Sequence, residues 1–209
     1  MSLKSYIVGQ FRKPTGLLGA LAGRIMANRP SNRQRNAATV ALMDLVSDSR
    51  VLEIGCGPGL ALELCTGIVT GGRIVGLDHS ATMIRQAEKR IKKAGHRGRV
   101  EFFLGGAERL AQWTDAFDRV YSLNVVQFIA DKPALFAAIR AALAPGGRVF
   151  TTYQPRVSND PTAASAEMAL RLEAVLNEAG FVGIERHGIA VEGEPAFCIS
   201  ARKPDPEAG

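Results

Sequence analysis

The sequence predicts an α/β domain: a doubly wound, mostly parallel sheet of seven strands with an antiparallel hairpin at its C-terminal edge. Two patterns predict it. From residue 36 onward, short apolar runs of strand type alternate five times with stretches of helical period, which closes into a layered sheet through right-handed crossovers. The last two strand-type runs have no helix between them, so they pair with each other.

The elements follow in order. Residues 1–35 carry Lys4, Arg12, Lys13, Arg24, Arg29, Arg33 and Arg35 and no acid. Their apolar middle predicts a short amphipathic helix from about Leu17 to Ala27, broken at Pro30. This basic arm reads either as a flexible, solvated segment or as a lid over a pocket or a contact with an anionic surface, a membrane surface included, though only weakly; the lid is the expectation taken forward. Ala37, Val40, Ala41, Met43, Leu45 and Val46 predict a helix over 36–47. Then come "RVLEIG" as a buried strand, "GLALELCTGI" as a helix and "GRIVGLD" as a second strand. "SATMIRQAEKRIKKAG" is a helix with Ser80 as N-cap, cations in its last turn and Gly95 as its stop. "RVEFFLG" is a third strand, followed by a short helix near 107–112. "FDRVYSLNV" is a fourth strand, and "DKPALFAAIRAALAPGG" a helix capped by Asp131 and stopped by Pro145-Gly146-Gly147. "RVFTTYQ" is a fifth strand, and "TAASAEMALRLEAVLNEAG" the last helix. "VGIERHGIAVEGEPAFCISARKP" supplies two closing strands turned at Gly193–Pro195. The domain is expected to span 36–203, with 204–209 a frayed tail.

Composition bounds the function. At 209 residues the chain is one domain with room for a sizeable core. A hydrophobic fraction of 46% and a charged fraction of 22% are those of a soluble protein. Lys4, Arg12 and Lys13 interrupt any secretory signal, and there is no run of eighteen apolar residues to cross a membrane. Cys56, Cys65 and Cys198 show neither paired nor metal-ligand spacing, so they are expected as free, buried thiols with no metal site. The expected location is the cytoplasm. The net charge of +6 does not by itself make nucleic acid the expected partner.

The chemistry concentrates in "VLEIGCGPGL", residues 51–60. Gly55, Gly57 and Gly59 end a strand and open a helix, where a backbone without Cβ lets a ligand come close. A dinucleotide fingerprint read from Gly55 needs glycine at position 60, which is Leu60, and the Lys-Ser/Thr of a phosphate-binding loop is absent. Glu53, two residues before the first glycine, suits a cationic group better than a pyrophosphate. Asp78 ends the second strand, where a carboxylate can accept from ribose hydroxyls. Gly106 and Ala107, after the third strand, leave space for a flat ring, and Asn124 places a polar group at the mouth of the sheet after the fourth.

Five stretches, "VLEIGCGPG", "IVGLDHSATMI", "GGAERL", "FDRVYSLNVVQFI" and "LAPGGRVF", in this order and spacing, resemble the class I S-adenosylmethionine-dependent methyltransferases, in particular the small-molecule branch related to ubiquinone biosynthesis and the type 11 proteins. The resemblance covers about residues 36–200. It implies a Rossmann-like fold, S-adenosylmethionine as cofactor and S-adenosylhomocysteine as product. It implies that Gly55, Cys56, Gly57 and Gly59 back the methionine part and that Glu53 orients its amino group. Asp78 then binds the ribose hydroxyls, with His79 and Met83 beside ribose and adenine, and Gly106, Ala107 and Glu108 line the adenine pocket. The backbone around Asn124 contacts the methionine end. Many relatives carry Asp where this chain has Gly106, so Glu108 or a backbone carbonyl takes over the adenine amino group here.

The implied reaction is an in-line methyl displacement that needs alignment and exclusion of water more than a dedicated base. No catalytic residue is assigned. His79, His96 and His187 are expected to be structural or exposed, and Gln127, Phe128 and Tyr153 are expected at the acceptor pocket. The expected acceptor is a small molecule. An RNA or protein methyltransferase using the basic arm is the alternative, although "NVVQ" replaces the (D/N)PPY signature of many nucleic-acid amino methyltransferases. A nicotinamide-dependent oxidoreductase is less expected because of Leu60.

Overall fold

The computed structural model describes residues 30–155, 160–193 and 195–206. The helix expected at Leu17–Ala27 and the lid expected of the arm lie outside them. The elements are α1 (Pro30–Leu42), β1 (Arg50–Ile54), α2 (Leu60–Thr66), β2 (Arg73–Asp78), α3 (Ala81–Lys93), β3 (Glu101–Leu104), β4 (Phe117–Leu123), α4 (Lys132–Ala142), β5 (Leu143–Tyr153), α5 (Pro161–Glu178), β6 (Val182–Ile189) and β7 (Ala196–Arg202). Single 3-10 segments follow β3 at Ala107–Gln112 and β4 at Val126–Phe128.

Seven strands form one sheet in the order β3-β2-β1-β4-β5-β7-β6. Pairings from β3 through β5 are parallel, and β7 runs antiparallel to both β5 and β6. The C-terminal hairpin therefore closes one edge, as expected. Strand order reverses at β1, which has β2 on one side and β4 on the other, so a crevice opens above its carboxyl end.

Alternation along each strand builds two cores. Leu52 and Ile54 of β1 and Val120 of β4 join the layer under α4 and α5. Val51 and Tyr121 face the layer under α1, α2 and α3, which also takes Met43, Leu62 and Ile91. Glu53 shares the face of Val51 and is paired in register with Tyr121 across β1 and β4. Caps mark the helix starts: Ser80 accepts from the Met83 amide, Asp131 from Ala134 and Asp160 from Ala163. No helix among the described residues is long and apolar enough to cross a membrane.

Two elements differ from the sequence expectation. The first helix runs Pro30–Leu42, not 36–47, so Pro30 begins a helix and the 35/36 boundary falls inside it. Proline is tolerated in a first turn because its missing N–H has no intrahelical partner there. β5 starts at Leu143, not Arg148, because Leu143 is already extended and Pro145-Gly146-Gly147 forms an irregularity within the strand. That bend is held by the C-terminal segment: the Gly146 amide donates to the Lys203 carbonyl at 3.1 Å and the Lys203 amide to Gly147 at 2.8 Å. In the tail, Asp205 pairs with Arg202 at 2.8 Å, and 207–209 lie outside the described residues.

Candidate active site

The crevice at the carboxyl ends of β1 and β4 is a cleft of about 160 Å³. One wall is the turn from Gly55 to Leu60, the other is α1 through Asn32, Arg35 and Asn36, and the end is closed by Asn124, Gln127 and Phe128.

The glycine turn is fixed by backbone bonds. The Gly55 and Cys56 amides donate to the Leu77 carbonyl at 2.7 and 3.0 Å, which ties the loop to the end of β2. A Cβ on Gly55 would lie 2.4 Å from Val125 Cγ2, and one on Gly59 would lie 2.9 Å from Ala87 Cβ on α3. A Cβ on Gly57 would meet nothing within 4 Å. Two glycines of the turn therefore serve packing, and the third leaves free backbone beside the cleft.

Asp78 is buried at the end of β2. Its Oδ2 accepts from the Gly57 amide and its Oδ1 from the Ser80 amide, both at 2.8 Å. Burial raises its pKa, against the lowering effect of those two N–H groups. Its free lone pairs are what remain for a ligand hydroxyl. His79 is half-exposed, its Nδ1 3.9 Å from Asp78 Oδ1, and Met83 is buried at the start of α3.

Glu53 is a buried carboxyl on the cleft floor. Burial pushes its pKa well above the usual carboxylate range; the Tyr121 hydroxyl, donating to Oε2 at 3.0 Å, partly offsets this, and Asp78 pushes it further up. Tyr121 also contacts Cys65 Sγ at 3.6 Å. Since the fold raises this pKa, the native state keeps a proton that the unfolded chain loses above the ordinary value of 4.5. Stability is expected to fall as pH rises from there until Glu53 itself ionises. Glu53→Gln removes this contribution, so the melting temperature of wild type minus variant is expected to decrease with rising pH. Thermal melts across a pH series check this, and a difference that does not move with pH rules out Glu53 as the titrating group.

Asn124 has a left-handed backbone (φ +55°), a conformation asparagine tolerates better than most residues. Its amide donates to the Thr152 carbonyl at 2.8 Å, its Oδ1 accepts from the Gln154 amide at 2.8 Å, and its carbonyl accepts from Gln127 Nε2 at 2.9 Å. Asn124 Nδ2 and Gln127 Oε1 are buried and have no hydrogen-bond partner among the described residues. A donor and an acceptor are left for a ligand in the same cleft.

Of the residues expected from sequence, Glu53, Gly55, Cys56, Gly57, Asn124, Gln127 and Phe128 line this cleft. Gly59 belongs to the turn and packs on Ala87, Asp78 holds the turn through the Gly57 amide, His79 follows Asp78 in sequence, and Met83 lies in the first turn of α3. Gly106, Ala107 and Glu108 lie beyond β3, on the far side of β2, where Glu108 folds back to accept from the Gly106 amide at 2.7 Å. Tyr153 is not a lining residue: its ring packs on Phe197 at 5.8 Å between centroids. The three cysteines are free and buried, and burial raises their thiol pKa values. No group of three or more metal-ligating side chains occurs among the described residues. Asn32, Arg35 and Asn36 were not expected at the site; only the spacing of their helix could have shown them.

A family model described as a methyltransferase domain matches residues 51–147. Among curated proteins, the chain is 27% identical to the uncharacterized methyltransferase YdaC of Bacillus subtilis, over 88% of this chain and 98% of that one. It is 32% identical to a trans-aconitate 2-methyltransferase of Variovorax paradoxus over 59% of this chain, spanning 45% of the relative. Among solved structures, phosphoethanolamine N-methyltransferase 2 of Haemonchus contortus, in complex with S-adenosylhomocysteine, superposes with a TM-score of 0.64 at 20% identity, over 82% of this chain and 52% of that one. The likeness to that structure is one of fold. The residues present here fit a group of the kind bound in that structure: open backbone at Gly57, an amide donor at Asn124 with no partner among the described residues, and two buried acids, Glu53 and Asp78. Residues 51–147, a little under half of the chain, are thus similar to a methyltransferase domain, and S-adenosylmethionine is the cofactor that fits the crevice.

Proposed function

We propose that the chain methylates a small-molecule acceptor held in the cleft beside Asn124, chiefly by proximity and orientation. The observation that carries this is the character of the cleft. It is small, and its titratable lining groups are Arg35, Glu53 and Cys56. Burial favours the neutral forms of Glu53 and Cys56, and an arginine does not give up its proton, so none is a ready general base. What such a cleft offers is alignment and exclusion of water. Bound there, S-adenosylmethionine supplies a methyl group activated by its sulfonium and leaves as S-adenosylhomocysteine. In this reading Asp78 holds the ribose, His79 and Met83 flank it, and the segment Gly106–Glu108 receives the adenine. The turn Gly55–Gly59 and Glu53 hold the amino-acid end, and Gln127 and Phe128 face the acceptor. The relatives named for trans-aconitate methylation support an acceptor of metabolite size. The three free, buried cysteines are in keeping with a cytoplasmic reaction.

Incubation of the protein with methyl-labelled cofactor and a cell extract separates the readings. Label is expected in dialysable products. Label confined to retained RNA or protein overturns the small-molecule reading in favour of a macromolecular acceptor recruited by the basic arm. The lid role of that arm is tested by removing residues 1–29: methyl transfer is expected to be lost while the melting transition persists. Full activity in the truncated protein overturns it.

A further inference from the structure

We propose that the acceptor carries a neutral amide-type edge, an oxygen beside an N–H, and that the side-chain amides of Asn124 and Gln127 hold it. This deepens the methyl-transfer reading above and rests on it. Each of the two amides has one end fixed by the protein. Asn124 Oδ1 accepts from the Gln154 backbone amide at 2.8 Å, so its other end is an N–H donor. Gln127 Nε2 donates to the Asn124 carbonyl at 2.9 Å, so its other end is a carbonyl acceptor. Turning either amide over would set donor against donor or acceptor against acceptor, so the partners fix which end is which. The ends left over, Asn124 Nδ2 and Gln127 Oε1, are buried and have no hydrogen-bond partner among the described residues. A buried polar group without its bond costs free energy, so two of them in one cleft call for a ligand.

Both residues line the cleft, and the Gln127 amide is anchored on Asn124 itself, so the donor and the acceptor share one corner. Both are neutral. An ion set against them would be desolvated with nothing to cancel its charge. The cofactor's amino-acid end is an ammonium and a carboxylate, and in the reading above it lies on the Gly55–Gly59 turn and Glu53. The neutral pair is thus left to the acceptor. A carboxylate offers two acceptors and sets an oxygen against Gln127 Oε1. An amidinium offers two donors and sets an N–H against Asn124 Nδ2. A carboxamide or lactam edge offers one of each and satisfies both. Phe128, next to Gln127 in the chain and 38% exposed, lines the same cleft and gives the apolar remainder of the acceptor a surface to pack on.

The test is a ligand-detected NMR titration of the full chain saturated with S-adenosylhomocysteine, using three planar isosteres as probes: benzamide, benzoate and benzamidine. Wild type is expected to bind benzamide at least about fivefold tighter than either ion, the scale of one buried group left unpaired. Gln127→Met removes the acceptor and is expected to erase the discrimination against benzoate while keeping that against benzamidine. Asn124→Gly removes the donor, suits the left-handed backbone there, and is expected to do the reverse. A residue that only shapes the cleft would move all three probes together. The proposal is overturned if benzamide does not bind, if wild type binds the three alike or prefers an ion, or if either folded variant discriminates as wild type does. Gln127→Met decides alone if Asn124→Gly does not fold. Loss of S-adenosylhomocysteine by Gln127→Met with its melting transition kept assigns the pair to the cofactor's amino-acid end and also overturns the proposal. Failure of wild type to bind S-adenosylhomocysteine sinks the methyltransferase reading itself.

Discussion

Asp78→Ala is expected to weaken S-adenosylhomocysteine binding by about 1–3 kcal/mol, roughly fivefold to more than a hundredfold, because two kinds of hydrogen bond disappear together. One kind is internal. Oδ2 holds the Gly57 amide and Oδ1 the Ser80 amide, so the carboxylate sets both the glycine turn and the start of α3. The other is the proposed bond to the ribose, through the lone pairs those amides leave free. Calorimetry with two ligands tells them apart. If the carboxylate binds the ribose, wild type loses affinity for a cofactor analogue that lacks a ribose hydroxyl, and the variant discriminates little between the two. Equal discrimination by wild type and variant restricts Asp78 to holding the turn. Unchanged affinity for S-adenosylhomocysteine itself removes Asp78 from the site.

The strands, their parallel order and the closing hairpin were legible in the sequence because apolar alternation and its spacing report burial directly. β1 shows how far this goes: Leu52 and Ile54 face one core and Val51 the other, as their alternation demands. The glycine turn and Asp78 were legible because special backbone and a lone acid at a strand end leave a mark in the residues themselves. The wall made by α1 was not. Its buried stripe begins with Asn32 and Arg35, polar residues that a reading by hydrophobicity leaves in the basic arm, so the helix was expected to begin only at residue 36. The stripe stays buried because its polar groups bond one another and the sheet: Thr39 Oγ1 donates to the Arg35 carbonyl at 2.9 Å and contacts Thr152 Oγ1 at 2.8 Å, and Asn36 Nδ2 donates to the Asn32 carbonyl at 2.6 Å. Gln154 was missed for a similar reason. Nothing local distinguishes it from Tyr153, and only the approach of α1 brings it to Arg35.

The glycines of the turn are expected to respond to alanine in opposite ways, and the contrast separates a fold requirement from a ligand requirement. Gly57 and Gly59 both have left-handed backbones, at φ +53° and +78°, so alanine at either carries a strain of about 1–2 kcal/mol. At Gly59 a new Cβ also lies 2.9 Å from Ala87 Cβ and 3.1 Å from its Cα, and a backbone atom of α3 cannot turn aside as a long side chain could. Overpacking of that kind adds about 1–3 kcal/mol. For a domain of this size each kcal/mol is about 2–4 °C in melting temperature, so Gly59→Ala is expected to melt clearly below Gly57→Ala. At Gly57 the new methyl meets nothing within 4 Å in the protein and projects into open space beside the cleft. Gly57→Ala is therefore expected to keep its fold, with the Gly57–Asp78 bond intact, and to lose S-adenosylhomocysteine at least about tenfold if the backbone there lies against the cofactor. Melting curves and calorimetry on the two variants decide it. If Gly57→Ala binds the cofactor as wild type does, the backbone at Gly57 does not lie against the cofactor, and Gly57 is kept only for its left-handed conformation.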